Sequence, residues 1–329
     1  REAGYWFRRA ASSGDANGEY NLANLYLNGR GVPKDLDFAQ MLLKRAAEKG
    51  NTNAMIGLGV INEFGLCGKT DCPRAVEWYR NAADLGNVDA VYKLGLCSLK
   101  GIGCEKNVKK AGLYFCQAAD RKHTGAEFQI GLLYRDGIGV ESDDKKAIAW
   151  FSKAAHKMDA DALFCLGQMV EKGRGVGKND KNAFLFYEMA AKSGLPRAQN
   201  AIASCYYRGK GVEKNLELAV KNYRLAAETG FAPAQNNLGM MHLRGDGMPR
   251  NADLAAEWIA RAAKQHLPDA EYNLAMLYEN GDGVAKSREK AVELCESAAK
   301  NGNEDAKAWL LKNGYISWIK DNPSTDKRK

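Results

Sequence analysis

Long apolar stretches are missing from this 329-residue chain. No window approaches the roughly 20 uninterrupted apolar residues of a membrane span. Proline is scarce too, seven residues against a usual share of about 5%. Glycine, at 34 residues, exceeds its usual share of about 7%. Many glycines with few prolines indicate many turns between helices. Histidine is rarer still, with four residues. Neither charge sign is lacking: 48 Lys and Arg against 40 Asp and Glu leave +8. With 45% hydrophobic residues the composition lies outside the disordered range. The expectation is a soluble, ordered protein. Length divided by about 150 suggests two domains, but that rule fails for repeats.

A repeat is present. Gly-x-Gly pairs occur at Gly29/Gly31, Gly101/Gly103, Gly137/Gly139, Gly173/Gly175, Gly209/Gly211, Gly245/Gly247 and Gly281/Gly283. Gly65 fills the one gap, its second glycine replaced by Cys67. An Ala-Ala pair keeps the same 36-residue step from Ala10-Ala11 to Ala298-Ala299, and a lone alanine does so from Ala3 to Ala291. Periods of this length indicate stacked supersecondary units.

Each unit predicts two helices. In the first, Leu22, Ala23, Leu25 and Tyr26 share one helical face, and Asn28-Gly29 forms a stop. In the second, Ala39, Leu43, Ala46 and Ala47 share a face, and Gly50 marks the corner. The count is nine helices of each kind, the chain starting inside a second helix. Leu22, Leu58, Leu94, Ile130 and their equivalents supply a large knob; Ala23, Gly59, Gly95 and Gly131 beside them are small. From the second helix Phe7, Leu43, Tyr79, Phe115 and Phe151 fill the gap. One pair cannot bury these faces alone, so neighbours stack into a continuous core. At about 8–10 Å per stacked element, the array should be on the order of 80 Å long and curved.

Segments such as Ala270–Tyr278 with Gly281-Asp282-Gly283-Val284, and Ala147-Ile148-Ala149-Trp150-Phe151-Ser152-Lys153-Ala154-Ala155, resemble the Sel1-like repeat family. The resemblance runs from Arg1 to about Asn313. It implies an all-α fold, a right-handed α-solenoid of 36-residue helix-turn-helix repeats whose first helices line a concave face. It also implies a non-enzymatic adaptor or scaffold that binds a protein ligand, as a bacterial envelope, secreted virulence-linked or toxin-neutralising immunity protein. Location would then be periplasmic or secreted, with the cytoplasm as the alternative, and the scaffold monomeric. One solenoid is expected over residues 1–313. Residues 314–329, with Tyr315, Ile316, Trp318 and Ile319, are expected to form a C-terminal cap and a disordered charged tail.

No constellation for chemistry stands out. Gly173-Arg174-Gly175-Val176-Gly177-Lys178 lacks the spacing of a phosphate loop and lies between helices, so it reads as a turn. His123, His156, His242 and His266 fall in different units, too far apart to converge; His242 occupies a tyrosine column and should be packed. No metal site, cofactor or small-molecule substrate is expected. Cys97, Cys205 and Cys295 fall in core columns, with Cys116 and Cys165 judged similar. Cys67, Cys72 and Cys104 fall in loops. Cys67 and Cys72 can close a disulfide or stand as free thiols; a zinc site would need a fourth ligand, and none is evident. Secreted relatives that staple each repeat use a regular cysteine pair, which this chain lacks.

Two rows of first-helix positions are expected to face the concave side. Tyr20, Ile56, Tyr92, Phe128 and Phe164 form one; Val60, Leu96 and Leu132 form the next. Glu63 and Arg135 at the edge would set ligand orientation. The bland alternative is that the first row only packs neighbouring helices. Later units place Asn200, Asn236, Ser204 and Met240 at these positions, which is more polar. A nucleic-acid or membrane-surface binder acting through the +8 charge is the other function class. Interleaved acidic residues favour solvated helix faces instead.

Overall fold

The computed structural model describes residues 2–315; the expected cap residues Ile316, Trp318 and Ile319 and the tail lie outside them. Among the described residues there are 18 helices and no strand. They group into two compact units, Arg1–Lys157 and Met158–Lys329. The first unit holds α1 (Glu2–Ser12), α2 (Ala16–Asn28), α3 (Leu36–Glu48), α4 (Thr52–Phe64), α5 (Cys72–Asp84), α6 (Val88–Lys100), α7 (Val108–Asp120), α8 (Thr124–Asp136) and α9 (Asp144–His156). The second holds α10 (Ala160–Lys172), α11 (Asp180–Lys192), α12 (Pro196–Arg208), α13 (Leu216–Glu228), α14 (Ala232–Arg244), α15 (Ala252–Ala263), α16 (Pro268–Asn280), α17 (Arg288–Lys300) and α18 (Glu304–Lys312). Even-numbered helices are the first of each repeat and odd-numbered ones the second.

Capping explains where the helices begin. Each second helix from α3 to α17 starts after Asp, Asn or Ser, as at Asp35, Asn107 and Ser287, whose side chain accepts from the backbone N–H three residues on. First helices use the same device at Asn51, Asn87 and Asp159. Leu195, Phe231 and Leu267 cannot accept, and there Pro196, Pro233 and Pro268 follow at the first or second helical position. A proline removes an N–H that would otherwise go unpaired, so one residue type substitutes for the other's bond. First helices end in left-handed glycines, as at Gly29 with φ 65°. The corner before each first helix is also left-handed, and Lys122, Met158 and His266 hold it at φ 63°, 61° and 57°. A side chain there costs about 1–2 kcal/mol that glycine avoids.

The core columns pair by size. Leu22, Leu58, Leu94 and Ile130 are buried, as are Ala46, Ala82 and Ala118. The small first-helix residue lies against the large second-helix residue of its own repeat. A Cβ built on Gly59 would sit 2.3 Å from Tyr79 Cε1; on Gly95, Gly131 and Gly167 it would sit 2.5 Å from Phe115, Phe151 and Tyr187 Cε1. Where the second helix carries Leu43 or Cys295 instead of a ring, the first carries Ala23 or Ala275. In the four repeats of Gly59, Gly95, Gly131 and Gly167 the glycine makes room for a ring, whereas the sequence suggested close approach of two backbones. Gly239 does face backbone, its Cβ position 3.0 Å from the Ala255 carbonyl oxygen, and Ala203 stands in the repeat of the Tyr223 ring.

A polar staple joins successive repeats. Lys49 Nζ donates to the Gly14 carbonyl and to Glu19, each at 2.9 Å. Lys157 repeats this on Lys122 and Glu127 at 2.8 and 2.7 Å, and Gln265 on Gly230 and Gln235 at 2.9 Å. Each reaches back one repeat to a corner carbonyl and a buried side chain. Glu19, Glu127 and Glu271 are buried through these contacts, Glu271 accepting from Asn301 and Ser297. Met55, Val91 and Leu163 occupy the same position in other repeats and are buried without a polar partner, although Arg121 still donates to the Gly86 carbonyl at 2.9 Å.

Candidate functional site

The first proposed row is half-buried throughout: Tyr20, Ile56, Tyr92, Phe128 and Phe164 each keep one edge in solvent. Their inner edges wall the core. Tyr92, Phe128 and Phe164 have ring centroids 5.9, 5.7 and 5.5 Å from Phe115, Phe151 and Tyr187. Tyr92 also stacks on His123 at 4.4 Å, and that imidazole caps α8 through Nδ1. These rings therefore pack first and present a surface second. Val60, Leu96 and Leu132 in the second row are half-buried as well.

Glu63 and Arg135 have partners within the fold. The Tyr79 hydroxyl donates to Glu63 at 2.7 Å, and burial together with that carboxylate pushes the phenol well above its usual range. Arg135 lies in a fork on the neighbouring Asp136, with 2.7 and 2.8 Å contacts. Tyr187 and Glu171 repeat the Tyr79–Glu63 pairing, and Lys210 adds a second donor at 2.7 Å. Phe115 and Phe151 have no hydroxyl, and the positions corresponding to Glu63 hold Leu99 and Arg135. At Glu63 and Glu171 the carboxylate serves as acceptor for a buried hydroxyl, while Glu279 of the same column accepts from Arg288 instead.

The cysteines sort by burial. Cys97, Cys165, Cys205 and Cys295 are buried, and burial pushes the thiols of Cys97, Cys205 and Cys295 up to about 12, 11 and 12. Cys116, expected among them, is exposed: its α7 position faces away from the ring column. Cys67 and Cys72 stand as free thiols in this structure. Cys67 Sγ donates to the Leu36 carbonyl of the preceding repeat, 3.4 Å away, while Cys72 Sγ turns to the Glu63 carbonyl, 3.9 Å away. The two thiols point to different repeats' backbones. No group of three or more metal-ligating side chains assembles among the described residues. His242 is buried, and burial lowers its basicity, with Arg224 adding to the effect.

The second unit contains a groove that the sequence left undefined. Asn200, Ser204, Arg208, Asn237, Met240 and Arg244 line about 450 Å³ between first helices α12 and α14. Asn237 donates to Asn200 at 3.1 Å, and Asn273 to Asn236 at 2.9 Å, so amides link successive first helices. Arg244 donates to the Tyr207 hydroxyl at 3.3 Å. Arg208 is exposed and has no ion-pair partner among the described residues. The signal was present in sequence: Lys172, Arg208 and Arg244 fall 36 residues apart, at the C-terminal ends of three first helices.

The Sel1 repeat family model matches residues 1–15, 16–51, 52–87, 88–123, 124–157, 160–195, 196–231, 232–267 and 268–303. Each full match spans one observed helix pair, from the start of a first helix to the corner after its second. The chain belongs to the Sel1 repeat family. Among solved structures this Sel1 repeat chain is similar to a protective antigen of uropathogenic Escherichia coli strains with an SLR fold. Identity there is 31% and the TM-score 0.72, over 96% of this chain and 70% of that one. It is also similar to a Sel1 repeat protein of Oxalobacter formigenes: 31% identity, TM-score 0.64, over 94% and 89% of the two chains. An immunity protein of Pseudomonas aeruginosa shares 21% identity at a TM-score of 0.42, over 74% of this chain and 88% of that one. No curated protein sequence matches the chain. The all-α solenoid of 36-residue helix-turn-helix repeats is thus observed, and none of its helices is long and apolar enough to cross a membrane among the described residues.

Proposed function

We propose that the chain is a non-enzymatic scaffold that captures a protein ligand on the face formed by its first helices. The observation that carries this is the groove between α12 and α14. It is shallow and open, its donors and Met240 lie side by side, and Arg208 has no ion-pair partner among the described residues. Such a surface suits recognition of a chain's backbone and acidic side chains. In the first unit the corresponding surface is apolar, made by the outer edges of Tyr20, Ile56, Tyr92 and Phe128 with Val60, Leu96 and Leu132. Aromatic and aliphatic anchors of this kind carry interface energy when a partner covers them. An envelope adaptor, a secreted virulence-linked protein and an immunity protein all act by protein capture. That shared property is what the face supports.

The test couples binding to stability. Wild type is immobilised, the protein it retains from the source cell is purified, and affinities are measured for variants. Arg208→Glu with Arg244→Glu changes exposed groups only, and should weaken binding at least tenfold, about 1.4 kcal/mol, at an unchanged melting temperature. Tyr92→Ala and Phe128→Ala should weaken it similarly, with some loss of stability because both rings also wall the core. Unchanged affinity in both sets would place the ligand elsewhere. Retention of nucleic acid with a steep loss between low and moderate salt would support the basic-surface alternative.

A further inference from the structure

Helix α7 differs from every other second helix in what it shows to solvent. Lys109, Leu113, Cys116 and Asp120 are all exposed, and their spacing of i, i+4, i+7 and i+11 puts them on one stripe. Leu113 is 72% exposed. The two middle positions hold Glu77 and Arg80 on α5, Lys221 and Arg224 on α13, and Glu293 and Glu296 on α17. Met41 on α3 and Leu185 on α11 are also exposed at the Leu113 position, but Lys44 and Glu188 follow them. On α7 alone among the described second helices do a large aliphatic residue and a thiol occupy them. Among the described residues neither Lys109 nor Asp120 has an ion-pair partner.

The stripe lies beside a hole. The position of Gly112 holds Val76, Phe184 or Val220 in other repeats, each buried against the following first helix. Without that side chain, Val108, Gly112, Ile130, Leu133, Ile138 and Val140 enclose an apolar groove of about 440 Å³. A Cβ on Gly112 would find its nearest neighbour, Leu133 Cδ1, 3.9 Å away, so the space is open. Ile138 and Val140 at its rim are 41% and 40% exposed.

We propose that α7 docks antiparallel on the α7 of a second copy of this chain. A two-fold axis between Tyr114 and Phe115 sets Leu113 opposite Cys116 of the second copy, and Lys109 opposite Asp120 of the second copy. The stripe reads cation, apolar, apolar, anion, so reversing its direction returns its own complement. That is the requirement of an isologous contact. Each Leu113 then lies over the other copy's Gly112 groove, and both charges gain a partner. The charge order also selects the occupant: a parallel arrangement would set Lys109 against Lys109. A single helix crossing is at the low end of interface areas, below about 1,200 Å², which implies a dissociation constant in the micromolar range. The groove takes Ile130 and Leu133 from α8 but none of Tyr92, Phe128, Leu96 and Leu132, so a dimer leaves those rows available for ligand capture and departs from the monomer expected from the family resemblance.

Sedimentation equilibrium from about 1 to about 100 µM should show 36.0 kDa subunits in reversible exchange with dimers. Leu113→Asp, on an exposed position, should weaken the dimer more than tenfold without altering helical content. Gly112→Val, which has room in the fold, should also weaken it by filling the groove. Lys109→Glu alone should weaken it, and adding Asp120→Lys should restore it, since the symmetric contact is rebuilt with signs exchanged. Both swaps suit the helix dipole, so the double variant keeps its fold. A short bismaleimide should link two chains through Cys116, the one exposed thiol among the described residues, and Cys116→Ser should abolish the product. A monomer across the whole range would overturn the proposal. So would a dimer indifferent to Leu113→Asp, or a double charge swap that fails to recover association.

Discussion

Gly131→Ala is expected to lower unfolding free energy by about 1–3 kcal/mol, although in an exposed helix the same change gains about 1 kcal/mol. The reversal comes from Phe151. That ring is fully buried, and a Cβ on Gly131 would sit 2.5 Å from its Cε1. A ring closed in on all sides cannot retreat, so the overlap must be relieved by backbone shift or rotamer strain. Urea denaturation followed by circular dichroism measures the loss. Pairing Gly131→Ala with Phe151→Leu rebuilds the Ala23–Leu43 combination found in the first complete repeat, and should recover most of the stability. A single variant as stable as wild type would show that the size-matched columns are not what holds the helix pair together.

Lys157→Met should cost about 2–3 kcal/mol. Its ammonium is one-third exposed, so the loss falls below that of a fully buried pair. Glu127 is the reason for the cost, because its side chain is 6% exposed and Lys157 is its ion-pair partner at 2.7 Å. The Lys122 carbonyl loses a donor in the same step. Replacing both partners should be nearly harmless. Glu127→Leu with Lys157→Ser copies Leu163 and Ser193, which occupy the equivalent positions one repeat later. Thermal unfolding of the two singles and the double gives the coupling directly. Additive losses would show that the two side chains do not act as a unit.

The sequence made the repeat legible because its period is enforced by packing. Ala82 and Leu94 can be read as buried because the same residue types recur every 36 residues, and both are buried. The direction of the small column was less legible. Gly59 and Gly95 signal a close approach, but only coordinates show that a ring from the same repeat, and not a second backbone, fills it. The staples escaped notice for a related reason. Lys49, Lys157 and Gln265 differ in type, and only their reach back to Gly14, Lys122 and Gly230 unites them. Glu63 reads in sequence as an edge group that would orient a ligand, yet the Tyr79 hydroxyl donates to it. Cys116 reads as core beside Phe115, but one residue along a helix turns a side chain by about 100°, which carries the thiol into solvent.

Protein capture on the first helices is tested most directly by amide hydrogen exchange of the chain with and without the protein it retains. Slower exchange is expected in α6 and α8, which carry Leu96 and Leu132, and in α12 and α14, which carry Arg208 and Arg244. Second helices such as α5 and α13 should exchange at unchanged rates. Protection confined to the second helices or the Gly-x-Gly loops, with the first helices unaffected, would contradict capture on this face.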